Sequence, residues 1–208
     1  MIPVRQVAAI KFPTHWGNFR LLAFEATQGP AGTVPQTALA LILGDIYKAP
    51  PIVRIHSQCS TGDVFHSLRC DCHDQLHLAL RSIAENGSGI VLYEHQEGRG
   101  IGLMEKLRAY ELQDQGFDTI DANLQLGHAI DLRDYTLPTD VLRFLNIHSL
   151  RLMTNNPDKI QAVSSAGINI VERLSADVLW TQFSADYMTI KRDKLGHLTG
   201  RTESFTPQ

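Results

Sequence analysis

The sequence predicts a single α/β domain, and three observations carry that expectation. Short runs rich in β-branched and aliphatic residues recur along the chain, amphipathic helical patterns lie between them, and in one place strand, helix and strand follow one another directly. In chain order, the strand candidates begin with residues 37–45 (TALALILGD) and 52–58 (IVRIHSQ). A helix is expected over Cys72–Asn86, where Leu76, Ala79, Leu80, Ile83 and Ala84 repeat at i, i+3, i+4, i+7 and i+8, and Asn86-Gly87 ends the pattern. Residues 89–95 (GIVLYEH) read as the next strand, and residues 101–115 as a weaker helix that carries Leu103, Leu107 and Tyr110 and closes at Gly116. The last unit is the clearest: strand 150–154 (LRLMT), a helix with Asn156 as N-cap, Pro157 at its first position and Gly167 at its end, then strand 168–174 (INIVERL). Such a unit implies a parallel crossover.

A chain of 208 residues with 43% apolar content suits one packed core. Its formal net charge of −3 argues against general affinity for nucleic-acid backbones or anionic membranes, which leaves a small partner held in a local basic pocket. No run approaches the roughly 18 apolar residues of a membrane span. The opening MIPVRQVAAIKF lacks the charged start and long apolar core of an export signal. Three cysteines, an odd number, make a poor disulfide framework, so the thiols are expected to stay reduced and the chain to be cytoplasmic. No internal repeat or low-complexity tract is evident. Composition shifts at a Gly/Pro/Thr-rich loop near residues 28–36 and at a polar tail after about Gly196.

All three cysteines, Cys59, Cys70 and Cys72, fall in the stretch CSTGDVFHSLRCDC, with C-x10-C-x-C spacing. Thiolates suit zinc, and three protein ligands with one open position is the arrangement of a catalytic site, whereas structural sites normally close with four. An open position leaves room for water, whose pKa zinc lowers to about 7. Against this stands the reading of three small buried hydrophobes, which the flanking Ser, Thr, Asp and His residues oppose. His73 and His77, four apart on the expected helix, offer a further alternative, because an imidazole could close the coordination sphere and make the site structural.

RIHSQCSTGDVFHSLRCDC, HQEGRGIGLMEKLRAYELQDQGFDTIDANLQLGHAIDLRDY and LMTNNPDKIQAVSSAGINIVERL together resemble the GTP cyclohydrolase II family of riboflavin biosynthesis, over about residues 4–198. The resemblance implies an α/β fold with a mixed sheet and flanking helices, one catalytic domain over residues 1–198 with a polar tail at 199–208, and a homodimer. It also implies a hydrolase dependent on zinc, one ion per subunit, and on magnesium carried with the triphosphate. The reaction implied opens the imidazole ring of GTP at C8, releases formate and pyrophosphate, and leaves a diamino-ribosylaminopyrimidinone phosphate.

Position by position, Cys59, Cys70 and Cys72 match the family's zinc ligands, and Tyr110 in KLRAY matches its ring-opening tyrosine. On its own Tyr110 would read as a core aromatic. Arg133 and Asp131 in DLRDY match a proposed covalent acceptor for the nucleotide and its activating acid. Arginine is normally too basic to lose a proton, so stabilisation of the α-phosphate by Arg133 is the rival role. Arg54, Ile55, His56, Ser57 and Gln58 match one GTP-binding segment and Glu97, Gly98 and Arg99 another, with Gln75, Thr119, Thr154 and Lys159 completing the set. No carboxylate cage for magnesium is evident, so that ion would be held through phosphate and water.

The chain departs from the family at Gln58, commonly glutamate, at His95, usually arginine, and at His73, usually glycine. A divergent paralogue is therefore the alternative, one that stops at the formylamino product or binds nucleotide around structural zinc without turnover. A nucleic-acid-binding zinc module is disfavoured, since it would want a basic face and interleaved aromatics where aromatics make up only 7%.

Overall fold

Seven strands form one mixed sheet in the computed structural model, which describes residues 3–27, 36–129 and 131–199. They are β1 (Val4–Thr14), β2 (Gly17–Ala26), β3 (Thr37–Leu43), β4 (Ile52–Ser57), β5 (Gly89–Glu94), β6 (Ser149–Met153) and β7 (Asn169–Leu174), laid side by side as β1-β2-β3-β5-β4-β6-β7. The β1-β2, β2-β3 and β3-β5 pairs are antiparallel, and β5-β4, β4-β6 and β6-β7 are parallel. The α/β class, the mixed sheet and the β6–helix–β7 crossover are as expected. The β1-β2 hairpin was not foreseen, because β1 is exposed along almost its whole length and its apolar residues do not alternate. Most of the expected loop near 28–36 and of the expected tail lies outside the described residues.

Among the described residues six α-helices flank the sheet: α1 (Cys72–Asn86), α2 (Leu103–Asp114), α3 (Thr119–Gln125), α4 (Thr136–Phe144), α5 (Pro157–Ser165) and α6 (Ala185–Asp193). Helix α1 buries Ala79, Leu80 and Ile83, and it stops where Gly87 adopts a left-handed φ of 77° and bonds back to the Ala84 carbonyl. In α5 the Asn156 side chain accepts from Asp158 N at 2.8 Å with Pro157 in the first turn, the capping expected. Helix α2 is bound loosely, with only Ala109 fully buried, in keeping with its weak stripe. Helices α3, α4 and α6 are additions to the sequence reading.

Alternation along the central strands divides the core in two. Val53, Ile55, Ile90 and Leu92 pack with Leu137, Val141 and Leu142 of α4 and Val163 of α5. Ile52 and Val91, on the opposite face, pack with Ala79, Leu80 and Ile83 of α1. Burial on both sides is the usual state of parallel strands. Arg54 and His56 share the α1 side of β4 and are buried at 5% and 2% exposure, a polarity that a central strand does not carry for packing alone. Ligands in open α/β sheets collect beyond the carboxyl ends of such strands, where the chain leaves β4, β5 and β6. Among the described residues no helix is long and apolar enough to cross a membrane.

Candidate active site

The chain leaving β4 winds a single π-turn over Ser60–Val64, and Asp63 within it fixes the shape. Its carboxylate accepts from Cys59 N at 3.0 Å and from the Tyr93 hydroxyl at 2.9 Å, and is hydrogen-bonded to His56 Nε2 at 3.1 Å. That turn carries Cys59 back towards Cys70 and Cys72 at the start of α1. The three sulfurs lie within 4.8 Å of one another, and Cys59 Sγ and Cys70 Sγ are 3.7 Å apart. Zinc–sulfur bonds of about 2.3 Å in a tetrahedron need an S···S edge of about 3.8 Å, so the donor set fits that ion.

Electrostatics around the sulfurs agree. Hydrogen bonds from the Cys70 and Cys72 thiols, helped by Lys106, push the Cys59 thiol pKa far down, while Cys70 is raised to about 11 and Cys72 well above its ordinary value. One thiolate is stable here on its own, and a divalent cation would let all three ionise. No histidine joins the group: among the described residues the only cluster of this kind is the three cysteines. His73 instead stacks between His66 and His77, with ring centroids 3.9 Å away on each side.

Gly62 sits against this cluster, and a Cβ there would lie 3.1 Å from Cys59 Sγ, Cys70 Sγ and Cys72 Cβ together. The sulfurs would have to yield by a few tenths of an ångström, more than metal–ligand distances tolerate. Gly62→Ala is expected to weaken zinc retention about tenfold or more, measured by competition with a chromophoric chelator, while circular dichroism stays native. Unchanged zinc affinity would show that the sulfurs are not positioned so tightly.

The thiols open onto a pocket of about 610 Å³. Its walls include Gln58, Glu97, Gly98, Arg99, Tyr110 and Thr119. Glu97 accepts from Ser60 N at 2.6 Å and from Lys106 Nζ at 2.8 Å, and the same ammonium reaches Cys59 Sγ at 3.1 Å and Thr61 Oγ1 at 2.8 Å. Burial opposes the Lys106 charge, but Tyr110, Cys59 and Glu97 together hold its pKa above the usual lysine range. Tyr110 lies one turn further along α2 with the Arg69 guanidinium 4.7 Å over its ring, and burial keeps its phenol protonated well above the ordinary pKa.

Arg99 adopts a left-handed φ of 60°, unusual for a side chain with a Cβ and a form of backbone strain that collects at functional sites. The next residue, Gly100, has φ of 92°, and a Cβ on it would meet Leu132 backbone at 3.0 Å. This close approach, with Leu132 N donating to Arg99 O at 2.9 Å, brings Asp131 and Arg133 to the glycine loop. Arg133 Nε donates to Asp131 Oδ1 at 2.9 Å, and Nη2 to the other carboxylate oxygen. Burial works against this guanidinium, yet the Asp131 hydrogen bonds raise its pKa above that of free arginine and pull the carboxyl down.

A second pocket, about 550 Å³, adjoins the first and shares Ser57, Cys72, Arg99, Arg133 and Tyr187 as a common wall. Arg54, Lys159 and Lys191 add to the two shared arginines, and among the described residues no carboxylate lines it. Arg54 donates to Gln75 Oε1 at 2.5 Å and to Met153 O at 3.2 Å, while its buried Nε has no partner. Both terminal nitrogens of Arg99 are buried and unpartnered as well. Lys159 Nζ donates to Ile55 O at 2.9 Å, and burial followed by Arg54 and Arg133 pushes its pKa well below the usual value. Arg54 Nε and both terminal nitrogens of Arg99 are thus buried donors without an acceptor, and with the ammonium groups beside them they make a receptor for a polyanion.

The sequence-derived residues thus converge. Cys59, Cys70, Gln58, Glu97, Gly98, Tyr110 and Thr119 line the first pocket, Arg54, His56, Gln75, Thr154 and Lys159 the second, and Ser57, Cys72, Arg99 and Arg133 both. Ile55 offers only its carbonyl, its side chain being in the core, and Asp131 stands behind Arg133. Two of the departures touch: His95 Nδ1 is 3.0 Å from Gln58 Oε1. Lys106 and Asn123 on the thiol side and Asn155, Tyr187, Lys191 and His197 on the cationic side were missed. For Lys106 a signal existed, since it precedes Tyr110 by four residues on one helix face.

The sequence model of the family described as GTP cyclohydrolase II matches residues 5–175. A protein named GTP cyclohydrolase-2 from Escherichia fergusonii is 49% identical over 201 residues, 96% of this chain and 99% of that one. One of the same name from Klebsiella pneumoniae subsp. pneumoniae is 50% identical over 196 residues, 94% of this chain and 96% of that one. Among solved structures, a two-domain 3,4-dihydroxy-2-butanone 4-phosphate synthase from A. baumannii aligns at a TM-score of 0.47 and 19% identity, covering 84% of this chain and 40% of that one.

Proposed function

This chain belongs to the GTP cyclohydrolase II family of enzymes, and from that membership we propose that it hydrolyses GTP at C8 of the purine, releasing formate and pyrophosphate and leaving a diamino-ribosylaminopyrimidinone phosphate. One observation carries the reading: a compartment walled by three thiols and a tyrosine opens, past Arg99 and Arg133, into a compartment walled by cations without a carboxylate. A purine nucleotide with its base on the thiol side and its β- and γ-phosphates on the cationic side places its α-phosphate at the shared wall, beside Arg133.

Zinc bound by Cys59, Cys70 and Cys72 supplies the means of making water nucleophilic at neutral pH. The protein's own groups do the rest. Tyr110, protonated throughout the physiological range, is placed to donate to a ring nitrogen as the imidazole opens. Lys106 and Glu97 neutralise each other beside Cys59 and hold the π-turn and the glycine loop in one piece. A second water attacks the α-phosphorus, the bond to the bridging oxygen breaks and pyrophosphate leaves, while Arg133, fixed by Asp131, stabilises the charge on the α-phosphate; the raised pKa of its guanidinium favours this electrostatic role over that of a nucleophile. Arg54, Arg99 and Lys159 hold the remaining phosphates, and with no carboxylate in that wall magnesium is carried by phosphate oxygens and water.

The homodimer and the cytoplasmic, reducing setting belong to the same proposal. Phe65, Leu68, Met104 and Leu107 are exposed apolar surface on two segments joined by Lys106–Thr61 and Arg69–Asp114 contacts, and the three cysteines are free.

The test is to incubate the zinc-loaded protein with GTP and magnesium, follow formate and pyrophosphate by chromatography, and weigh the product by mass spectrometry. Formate and pyrophosphate in equal amounts, with the deformylated pyrimidine, are expected. A formylamino product without free formate would reassign the chain to the shorter reaction. No turnover of any purine nucleotide would end the hydrolase reading.

A further inference from the structure

The stretch after residue 175 lies beyond the segment that the family model matches, yet it is stitched to the site at four places. Gln75 Nε2 donates to Ala176 O at 3.2 Å, and Ala176 N to Asn155 Oδ1 at 3.0 Å. Thr181 Oγ1 donates to Leu68 O at 3.2 Å, just before the second zinc-ligand candidate. From α6, Lys191 Nζ reaches Asp71 Oδ1 at 2.5 Å, between Cys70 and Cys72. Beyond it, Leu198 N donates to Asn155 O at 2.8 Å, with His197 N bonded to Lys191 O at 3.0 Å. The segment thus crosses from the thiol loop to the end of β6, spanning both compartments.

Three of its side chains face inward. Tyr187 lines both pockets, with the Arg99 guanidinium 5.5 Å and the Lys191 ammonium 4.7 Å from its ring centroid. Lys191 and His197 line only the cationic one. Lys191 is 8% exposed, and its bond to Asp71 uses one of three ammonium donors. Asp71 also accepts from Gln75, which accepts from Arg54, so Lys191 ends a buried relay that reaches the middle of β4. His197 is held neutral, its pKa lowered to about 3 by burial and then by Lys191 and Arg133. A neutral imidazole among cations donates a hydrogen bond without adding to their mutual repulsion.

We propose that α6 and the turn after it form the outer wall of the phosphate compartment, in which Lys191 and His197 bind the pyrophosphoryl end of the nucleotide and Tyr187 positions Arg99 at the junction. This rests on the placement of phosphates given above and adds a contact set that the matched family segment does not contain. The wall selects triphosphates: Lys191 and His197, which line only the cationic pocket, touch the part of the substrate that leaves as pyrophosphate. Its loss is therefore expected in the binding of phosphate and not in that of guanosine.

Calorimetric titration of the zinc-loaded full chain with inorganic pyrophosphate, and separately with guanosine, tests this alongside GTP kinetics. His197→Ala and Lys191→Met are each expected to weaken pyrophosphate binding and raise KM for GTP about tenfold or more, since each removes a hydrogen bond to a charged group. Guanosine affinity and zinc content should change by less than about threefold, and Lys191→Arg should restore most of the loss. His197→Ala leaves the Asp71 pair intact, so it keeps the test decisive if Lys191→Met does not fold. Wild-type pyrophosphate affinity in both variants would overturn the wall while leaving the hydrolase standing. A wild-type protein that neither binds pyrophosphate nor turns over GTP would overturn both.

Discussion

Cys70→Ser is expected to lose zinc and at least about a thousandfold of formate release, while pyrophosphate release from GTP survives within about tenfold. The first part follows from the donor set. Removing one of three sulfurs spaced for a tetrahedral ion leaves two, and the Lewis acid that the three would hold would contribute several kcal/mol to ring hydrolysis, at about 1.4 kcal/mol per tenfold. The second follows from the architecture. Cys70 lines only the thiol compartment, whereas Cys72 also lines the cationic one, so Cys70 is the ligand whose loss least disturbs the phosphates. The contacts of Arg133, Arg54 and Lys159 run to Asp131, Gln75, Met153, Ile55 and Ser57, none of them a sulfur. Metal content by plasma mass spectrometry, with formate and pyrophosphate quantified from one reaction, checks both parts. Equal loss of the two products would mean that phosphate departure waits on ring opening, and the two-compartment division of labour would be wrong.

That division was half legible in the sequence. Where chemistry and local pattern coincide, reading succeeded: the cysteine spacing, the capped helix after Asn156 and the apolar strands β3 to β7 each follow from interactions within a few residues. The failures share a cause in contacts that span the chain. β1 shows no alternation because it is mostly exposed and touches the core only near its ends, through Val4 and Phe12, while its partner β2 carries the buried alternation. Lys106 was missed because its partners Glu97, Cys59 and Thr61 are brought to it by the π-turn and the glycine loop. Lys191 meets Asp71 across 120 positions, and nothing local announces that pair. His73 and His77 could not be separated from zinc ligation by spacing alone; the tight stack with His66 directs both rings to other histidines.

Arg133→Ala is expected to reduce pyrophosphate release by about 10²–10³-fold, the usual consequence of removing one preorganised donor from a developing charge. The guanidinium is poised for that role before substrate arrives. Asp131 grips it through Nε and Nη2, which leaves Nη1 for the ligand, and the pair lies in the wall common to both compartments. The same grip bears on the rival role. A nucleophilic arginine must lose a proton, but Asp131 raises the guanidinium pKa, and its own pKa lies below the ordinary carboxylate value, making it a poor base. Asp131→Asn should therefore cost much less than Arg133→Ala, about tenfold, because the cation survives with looser positioning. Were Asp131 the activating base, the two losses would match. Intact-mass spectrometry of the enzyme quenched during turnover is the direct check: unmodified protein is expected, and a mass increase of one guanylyl group that disappears in Arg133→Ala would establish the covalent route.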